Sequence, residues 1–282
     1  MTKSNLSESI RARLLNITKK PGQYNFQTIL LQFMLERFLF RIGQSHYKKR
    51  FLLKGAMLFA LWYEMPHRAT RDIDLLAFAD NDLLVVKKIF QEIASISFND
   101  GVIFHIDRIS VNKILEKNIY SGAKVIIPAE LAKARSNIEI DVGFGDAVIP
   151  GPIQATYPVL LNDFPAPELY TYPVYTVIAE KVHAIVEHGA KNSRMKDYLD
   201  LTVIFDRETL DMQLLLRAIT ATFKSRDTKI PNTMPVGITD VFANDPVKEV
   251  MWAAFLRKNQ LSAKSLSETA KQLRDNLQSI FS

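Results

Sequence analysis

Apolar and polar positions alternate with two different periods along this chain, and the change of period divides it. After Asn25, which can cap a helix, Phe26, Leu30, Phe33 and Phe40 recur at helical spacing up to Gly43, where the pattern predicts the helix ends. A short apolar stretch, Phe51-Leu52-Leu53, reads as a strand, followed by Lys54-Gly55 and a helix over Ala56–Glu64 that breaks at Pro66. Asp72–Ala77 reads as a strand, Leu83–Ile96 as a helix, residues 102–128 as short strands, and Ile138–Phe144 as a cleanly alternating strand. Beyond residue 173 the period is helical: Val177–His188 closed by Gly189, Arg194–Phe205 capped by Ser193, then Leu210–Phe223, Pro246–Arg257 and Ser265–Phe281. Six of the 12 prolines fall between Pro150 and Pro173, which marks a linker or an interdomain crossing. The expected architecture is α/β (α+β), with N-terminal helices and an α/β domain over residues 1–165 and an α-helical domain over residues 166–282.

Composition changes this picture little. Hydrophobic residues at 48% and charged residues at 23% are ordinary for a globular protein. The absence of cysteine excludes disulfides and thiolate metal sites. The longest apolar run, Gly55 to Tyr63, is too short to span a bilayer, and the first twenty residues hold no secretory apolar core, so a cytoplasmic protein without membrane contact is expected. Charge is unevenly placed. Residues 1–50 hold ten of the 36 Lys and Arg but two of the 30 Asp and Glu, leaving 26 basic against 28 acidic groups elsewhere. Such a block suits a polyanion such as RNA, and equally suits solvated helix faces.

The chemistry-bearing segment is Lys54-Gly55-Ala56 followed by Asp72-Ile73-Asp74. In a strand, Asp72 and Asp74 project from one face while Ile73 and Leu75 face the core. Two adjacent carboxylates repel unless a cation lies between them, and Mg²⁺ favours one or two carboxylates with phosphate oxygens. An isolated Asp-X-Asp is more often a solvated strand end or turn. The second strand repeats the arrangement with Glu139 and Asp141, supplying the third carboxylate of a two-metal site; Asp141 is the choice and Glu139 the fallback. Gly55, between strand and helix, would let backbone N–H groups approach phosphate. On the later helices, Lys181 lies at the margin of the stripe formed by Ile178, Val182 and Ile185, and Asp197 lies on the side of Leu201 and Ile204. Both need partners there, as an ion pair between helices or as groups lining a cleft. The chain has no P-loop, dinucleotide fingerprint, H-E-x-x-H or G-x-S-x-G motif.

These residues resemble a known family. LKGAMLFALW followed by HRATRDIDLL is similar to the first motif of the AbiEii/AbiGii nucleotidyltransferase toxins, within the polymerase-beta-like superfamily. IEIDVGFGD and AEKVHAIVEHGAKNSRMKDYLDL resemble its later motifs, and the similarity spans roughly residues 25–260. Most of the superfamily has Gly-Gly or Gly-Ser where this chain has Gly55-Ala56. The resemblance implies a polymerase-beta-like domain with a mixed sheet, then a helical domain. It implies Asp72, Asp74 and Asp141 as ligands of a two-ion Mg²⁺ site, and Lys181 and Asp197 as the essential lysine and aspartate. Lys54, Gly55, Ala56, Arg68, Thr70 and Lys181 would contact the nucleotide. The implied reaction moves a nucleotide from a nucleoside triphosphate to an acceptor hydroxyl, namely an RNA 3′ end, tRNA in particular. A separately encoded antitoxin protein is the implied partner. The rival expectations are a small-molecule nucleotidyltransferase and a non-catalytic nucleotide-binding protein.

Overall fold

A computed structural model describes residues 3–20, 24–63, 70–78, 81–116 and 119–281. The chain forms two units: Met1–Gly145 with Ile153–Thr171, and Asp146–Pro152 with Tyr172–Ser282. The first contains α1 (Lys3–Ile17), α2 (Phe26–Gln44), β1 (Phe51–Lys54), α3 (Met57–Tyr63), β2 (Asp72–Ala77), α4 (Leu83–Ser95), β3 (Val102–Phe104), β4 (Ser110–Glu116), β5 (Ile119–Leu131), β6 (Ala134–Phe144), β7 (Ile153–Thr156) and β8 (Glu168–Thr171).

The strands form one mixed sheet in the order β3-β5-β6-β2-β1-β8-β7, with β4 also paired to β5. β2 runs parallel to β6 and β1 parallel to β8, and the other pairings are antiparallel. Period-two alternation gives the central strands two unlike faces. Ile73, Leu75, Ala123, Val125, Ile127, Ile138, Ile140 and Val142 are buried, while Asp72, Asp74, Lys124, Glu139 and Asp141 alternate with them and keep solvent exposure. The proline-rich segment also contributes to the sheet, because β7 and β8 lie within it. Their four-residue lengths and flanking prolines hide them from periodicity.

Helix α2 starts as expected, with Asn25 Oδ1 accepting from the Thr28 N–H at 3.0 Å. It ends at Gln44, one residue past Gly43. A Cβ on Gly43 would lie 2.6 Å from the Glu168 carbonyl oxygen, so the glycine permits close approach of β8 to the helix. From Ile29 to Ile42 nearly every α2 residue is buried, Glu36, Arg37 and Arg41 included. Arg41 pairs with Asp100 at 2.6 and 3.1 Å. The Arg37 guanidinium lies 2.6 Å from Glu36 and close to the rings of Phe33, Phe40 and Phe164. Burial pushes the Glu36 carboxyl up to about 7 against the opposing pull of Arg37. Arg13 and Lys48 pair with Asp163 and Glu168. The N-terminal basic block is therefore partly internal and partly neutralised, and its surface charge is smaller than the count implies.

The second unit contains α5 (Val174–His188), α6 (Met195–Arg207), α7 (Met212–Ser225), α8 (Asp240–Ala243), α9 (Pro246–Asn259) and α10 (Leu266–Leu277). Gly189 follows α5 with φ of 49°, where glycine is favoured. Ser193 does not cap α6; the Asn192 side chain instead accepts from the Arg194 N–H at 2.9 Å. Tyr198 is fully buried, stacks on Phe242 at 5.5 Å and donates to the Gly237 carbonyl at 2.8 Å. No helix among the described residues is long and apolar enough to cross a membrane.

Candidate active site

The sheet register places the acidic residues. β2 and β6 pair so that Asp72 lies beside Glu139 and Asp74 beside Asp141. In-register partners share a face, which carries the four carboxylates onto the side opposite Ile73 and Ile140. One carboxylate oxygen from each of Asp72, Asp74 and Asp141 lies within 4.8 Å of the other two. Three oxygen donors at that separation, with half-buried side chains, fit a hard divalent cation of the Mg²⁺ type. Asp141 Oδ1 is hidden from solvent, with the Lys124 ammonium 2.8 Å away.

Neighbouring groups hold the acids in place. Thr70 is buried, and its hydroxyl lies 3.0 Å from Asp72 Oδ1 and 3.2 Å from the Asp72 carbonyl. Gly55 has φ of 74°, and a Cβ built on it would lie 1.8 Å from Asp74 Oδ2 and 2.6 Å from Cγ. The missing side chain at Gly55 thus gives the Asp74 carboxylate room to lie against this turn. Gly55→Ala combines a left-handed backbone, costing about 1–2 kcal/mol, with this collision. It is expected to turn Asp74 off its position and lower stability by about 2 kcal/mol or more in chemical denaturation. A change below about 0.5 kcal/mol, with Asp74 unmoved in a structure of the variant, would contradict this account.

Lys124 on β5, which sequence reading did not single out, stands directly opposite Asp141. Its ammonium lies 2.8 Å from Asp141 Oδ1 and donates to Glu139 Oε2 at 3.1 Å. Partial burial would lower the Lys124 pKa, and the two carboxylates more than offset this, leaving it raised. The available signal was its place among Ala123, Val125 and Ile127, which puts it on the acidic face. Ala56 is buried, and Lys54 pairs in register with Asp74. Arg68, expected beside the nucleotide, lies outside the described residues.

In the helical unit, Lys181 and Asp197 do meet. The Lys181 ammonium donates to Asp197 Oδ1 at 3.0 Å and to Asp200 Oδ2 at 2.6 Å, and Arg194 Nε donates to Asp197 Oδ2 at 2.6 Å. Both carboxylates are 1% exposed. Burial works to raise the Asp197 pKa, but Lys181 and Arg194 outweigh it and hold the carboxyl below its ordinary value. Asp200 was not anticipated. Its spacing from Asp197, one helical turn along the same face, was the clue.

A family model described as the nucleotidyl transferase AbiEii toxin of type IV toxin–antitoxin systems matches residues 37–275. Among solved structures, JHP933 from Helicobacter pylori superposes with a TM-score of 0.55 at 14% identity, covering 92% of this chain and 94% of that chain. A second crystal structure, described as a "putative nucleotidyltransferase from H. pylori", gives 0.52 at 15% identity, covering 92% and 96%. At such identities the two structures speak for the fold alone. No curated protein matches the sequence.

Proposed function

The chain belongs to the AbiEii nucleotidyltransferase toxin family of type IV toxin–antitoxin systems, and from that premise we propose that it uses Asp72, Asp74 and Asp141 to transfer a nucleotide from a nucleoside triphosphate to the hydroxyl of an RNA 3′ end, a tRNA in particular. The observation that carries this reading is the convergence of three carboxylates from two in-register parallel strands.

Mg²⁺ held there would supply Lewis-acid activation of the acceptor hydroxyl and offset charge on the leaving pyrophosphate. Asp72 and Asp74 would hold both ions, with Asp72 fixed by Thr70 and Asp74 seated on Gly55. Asp141 completes the set and takes the proton of the acceptor hydroxyl as its oxygen attacks the α-phosphorus. The bond from that phosphorus to the bridging oxygen breaks, and pyrophosphate departs. Lys54, beside Asp74, is assigned to the triphosphate, as is the Gly55–Ala56 backbone. Lys181 keeps its family-implied task of offsetting phosphate charge, oriented by Asp197 and Asp200. Support for RNA as acceptor, and for a separately encoded antitoxin, comes from the family. The positive charge of the N-terminal segment is a weaker support once Arg37 and Arg41 are internal.

Purified protein given Mg²⁺, total tRNA and each labelled nucleoside triphosphate in turn is expected to label tRNA. Label appearing only in small hydroxylated compounds offered in parallel would replace the RNA assignment with the small-molecule one. Within the same assay, Asp141→Ala should cost at least about a hundredfold, whereas Glu139→Ala, half-exposed and outside the trio, should cost less than about threefold. Equal losses would remove Asp141 from the site.

A further inference from the structure

Four charged residues stand in register across the middle of the sheet: Lys54 on β1, Asp74 on β2, Asp141 on β6 and Lys124 on β5. Directly opposed residues bring their Cβ atoms to about 5 Å, so two adjacent carboxylates are bracketed by two ammonium-bearing side chains. Lys124 lies 2.8 Å from Asp141 Oδ1 and 3.1 Å from Glu139 Oε2, and the Asp141 oxygen it covers is out of contact with solvent. An ammonium and a divalent cation draw on the same carboxylate charge. The Lys124 side chain is one-third exposed on a flexible four-carbon stem, free to turn away without any change in the sheet.

We propose that Lys124 is a resident counter-cation of the acidic site. It neutralises Asp141 when no divalent ion is bound, and it gives way when one enters together with a nucleoside triphosphate, whose phosphates then receive the Lys124 ammonium. Metal binding is thereby tied to nucleotide binding. The inference rests on the nucleotidyl-transfer reading of Asp72, Asp74 and Asp141. In this scheme Lys124 binds first Asp141 and then the triphosphate, and makes or breaks no covalent bond itself.

The test is Mn²⁺ binding to the full chain, followed by the resonance of the free ion, with and without a mixture of the four non-hydrolysable nucleoside triphosphates, and corrected for the Mn²⁺ that the same triphosphates take up without protein. The unaltered protein is expected to bind Mn²⁺ weakly alone and at least about tenfold more tightly with triphosphate. Lys124→Met should bind Mn²⁺ alone about tenfold more tightly and gain less from triphosphate, while Lys124→Arg should behave as the unaltered protein. Adding Asp74→Asn to Lys124→Met should abolish the tight binding. Unchanged Mn²⁺ affinity in Lys124→Met, with loss in the double variant, would overturn the role of Lys124 and leave the acidic site standing. Binding indifferent to Asp74→Asn would remove the site, and this inference with it. Melting supplies an independent readout. Lys124→Met should melt lower than the unaltered protein without metal and be restored by Mn²⁺ to a greater degree; a drop that Mn²⁺ leaves untouched marks a purely structural lysine and overturns the proposal.

Discussion

Asp74→Asn is expected to lower nucleotidyl transfer by at least about a thousandfold, a rise of roughly 4 kcal/mol in the barrier. Asparagine keeps the shape of the side chain and removes its charge, so the loss reads charge rather than packing. Asp74 is confined by its surroundings, with Gly55 beneath it, Lys54 on one side and Asp141 on the other. Removing one of two adjacent like charges relieves repulsion in the metal-free protein. The variant should therefore unfold no earlier than the unaltered chain in the absence of divalent ions, while any stabilisation by added Mn²⁺ should disappear. Transfer and melting measured on one preparation check both halves. Activity above about a tenth of the unaltered value would place the chemistry elsewhere.

Lys181→Met is the substitution expected to cost most in stability, about 3–5 kcal/mol near neutral pH. It leaves the carboxylates of Asp197 and Asp200, each 1% exposed, without the ammonium that lies 3.0 and 2.6 Å from them. The pH dependence identifies the cause. In the unaltered protein the Asp197 pKa is depressed, so its contribution is full above the ordinary carboxylate value of 3.8 and is lost only as pH falls through the lower folded-state value. In Lys181→Met, burial is less opposed and the folded-state pKa of Asp197 rises. The penalty for burying its charge then fades as the carboxyl protonates, and the stability gap between the two proteins should narrow on acidification. Denaturant titrations from pH 7 to pH 4 measure this. Parallel stability curves across that range would mean that lost packing of the lysine stem, not uncompensated charge, carries the effect.

Much of the acidic face of the sheet was legible in the sequence because strand alternation is a local rule. Asp72 and Asp74 had to share a face opposite Ile73, and Glu139 and Asp141 a face opposite Ile140, as they do. The mixed sheet with later helices, and the helices near Phe26, Leu83, Val177 and Ser265, follow from the same short-range periods and from capping residues such as Asn25 and Ser265. Family motifs added the order of the parts. Composition was a poorer guide. Arg37 and Arg41 count as basic charge in the chain but lie in the core with Glu36 and Asp100, and no tally of residues separates a buried ion pair from a surface one.

By itself, then, the sequence determined which side of each strand would be acidic and where most helices begin, because these depend on neighbours within a few residues and on backbone geometry. Only the tertiary structure decided that β6 lies between β2 and β5, in the register that sets Asp141 between Asp74 and Lys124. It also decided that Gly43 and Gly55 make room for Glu168 and Asp74, and that β7 and β8 join the sheet. Pairing between strands far apart in the chain is settled by burial of the whole sheet and by steric fit, and a local pattern carries no record of which distant partner will satisfy it.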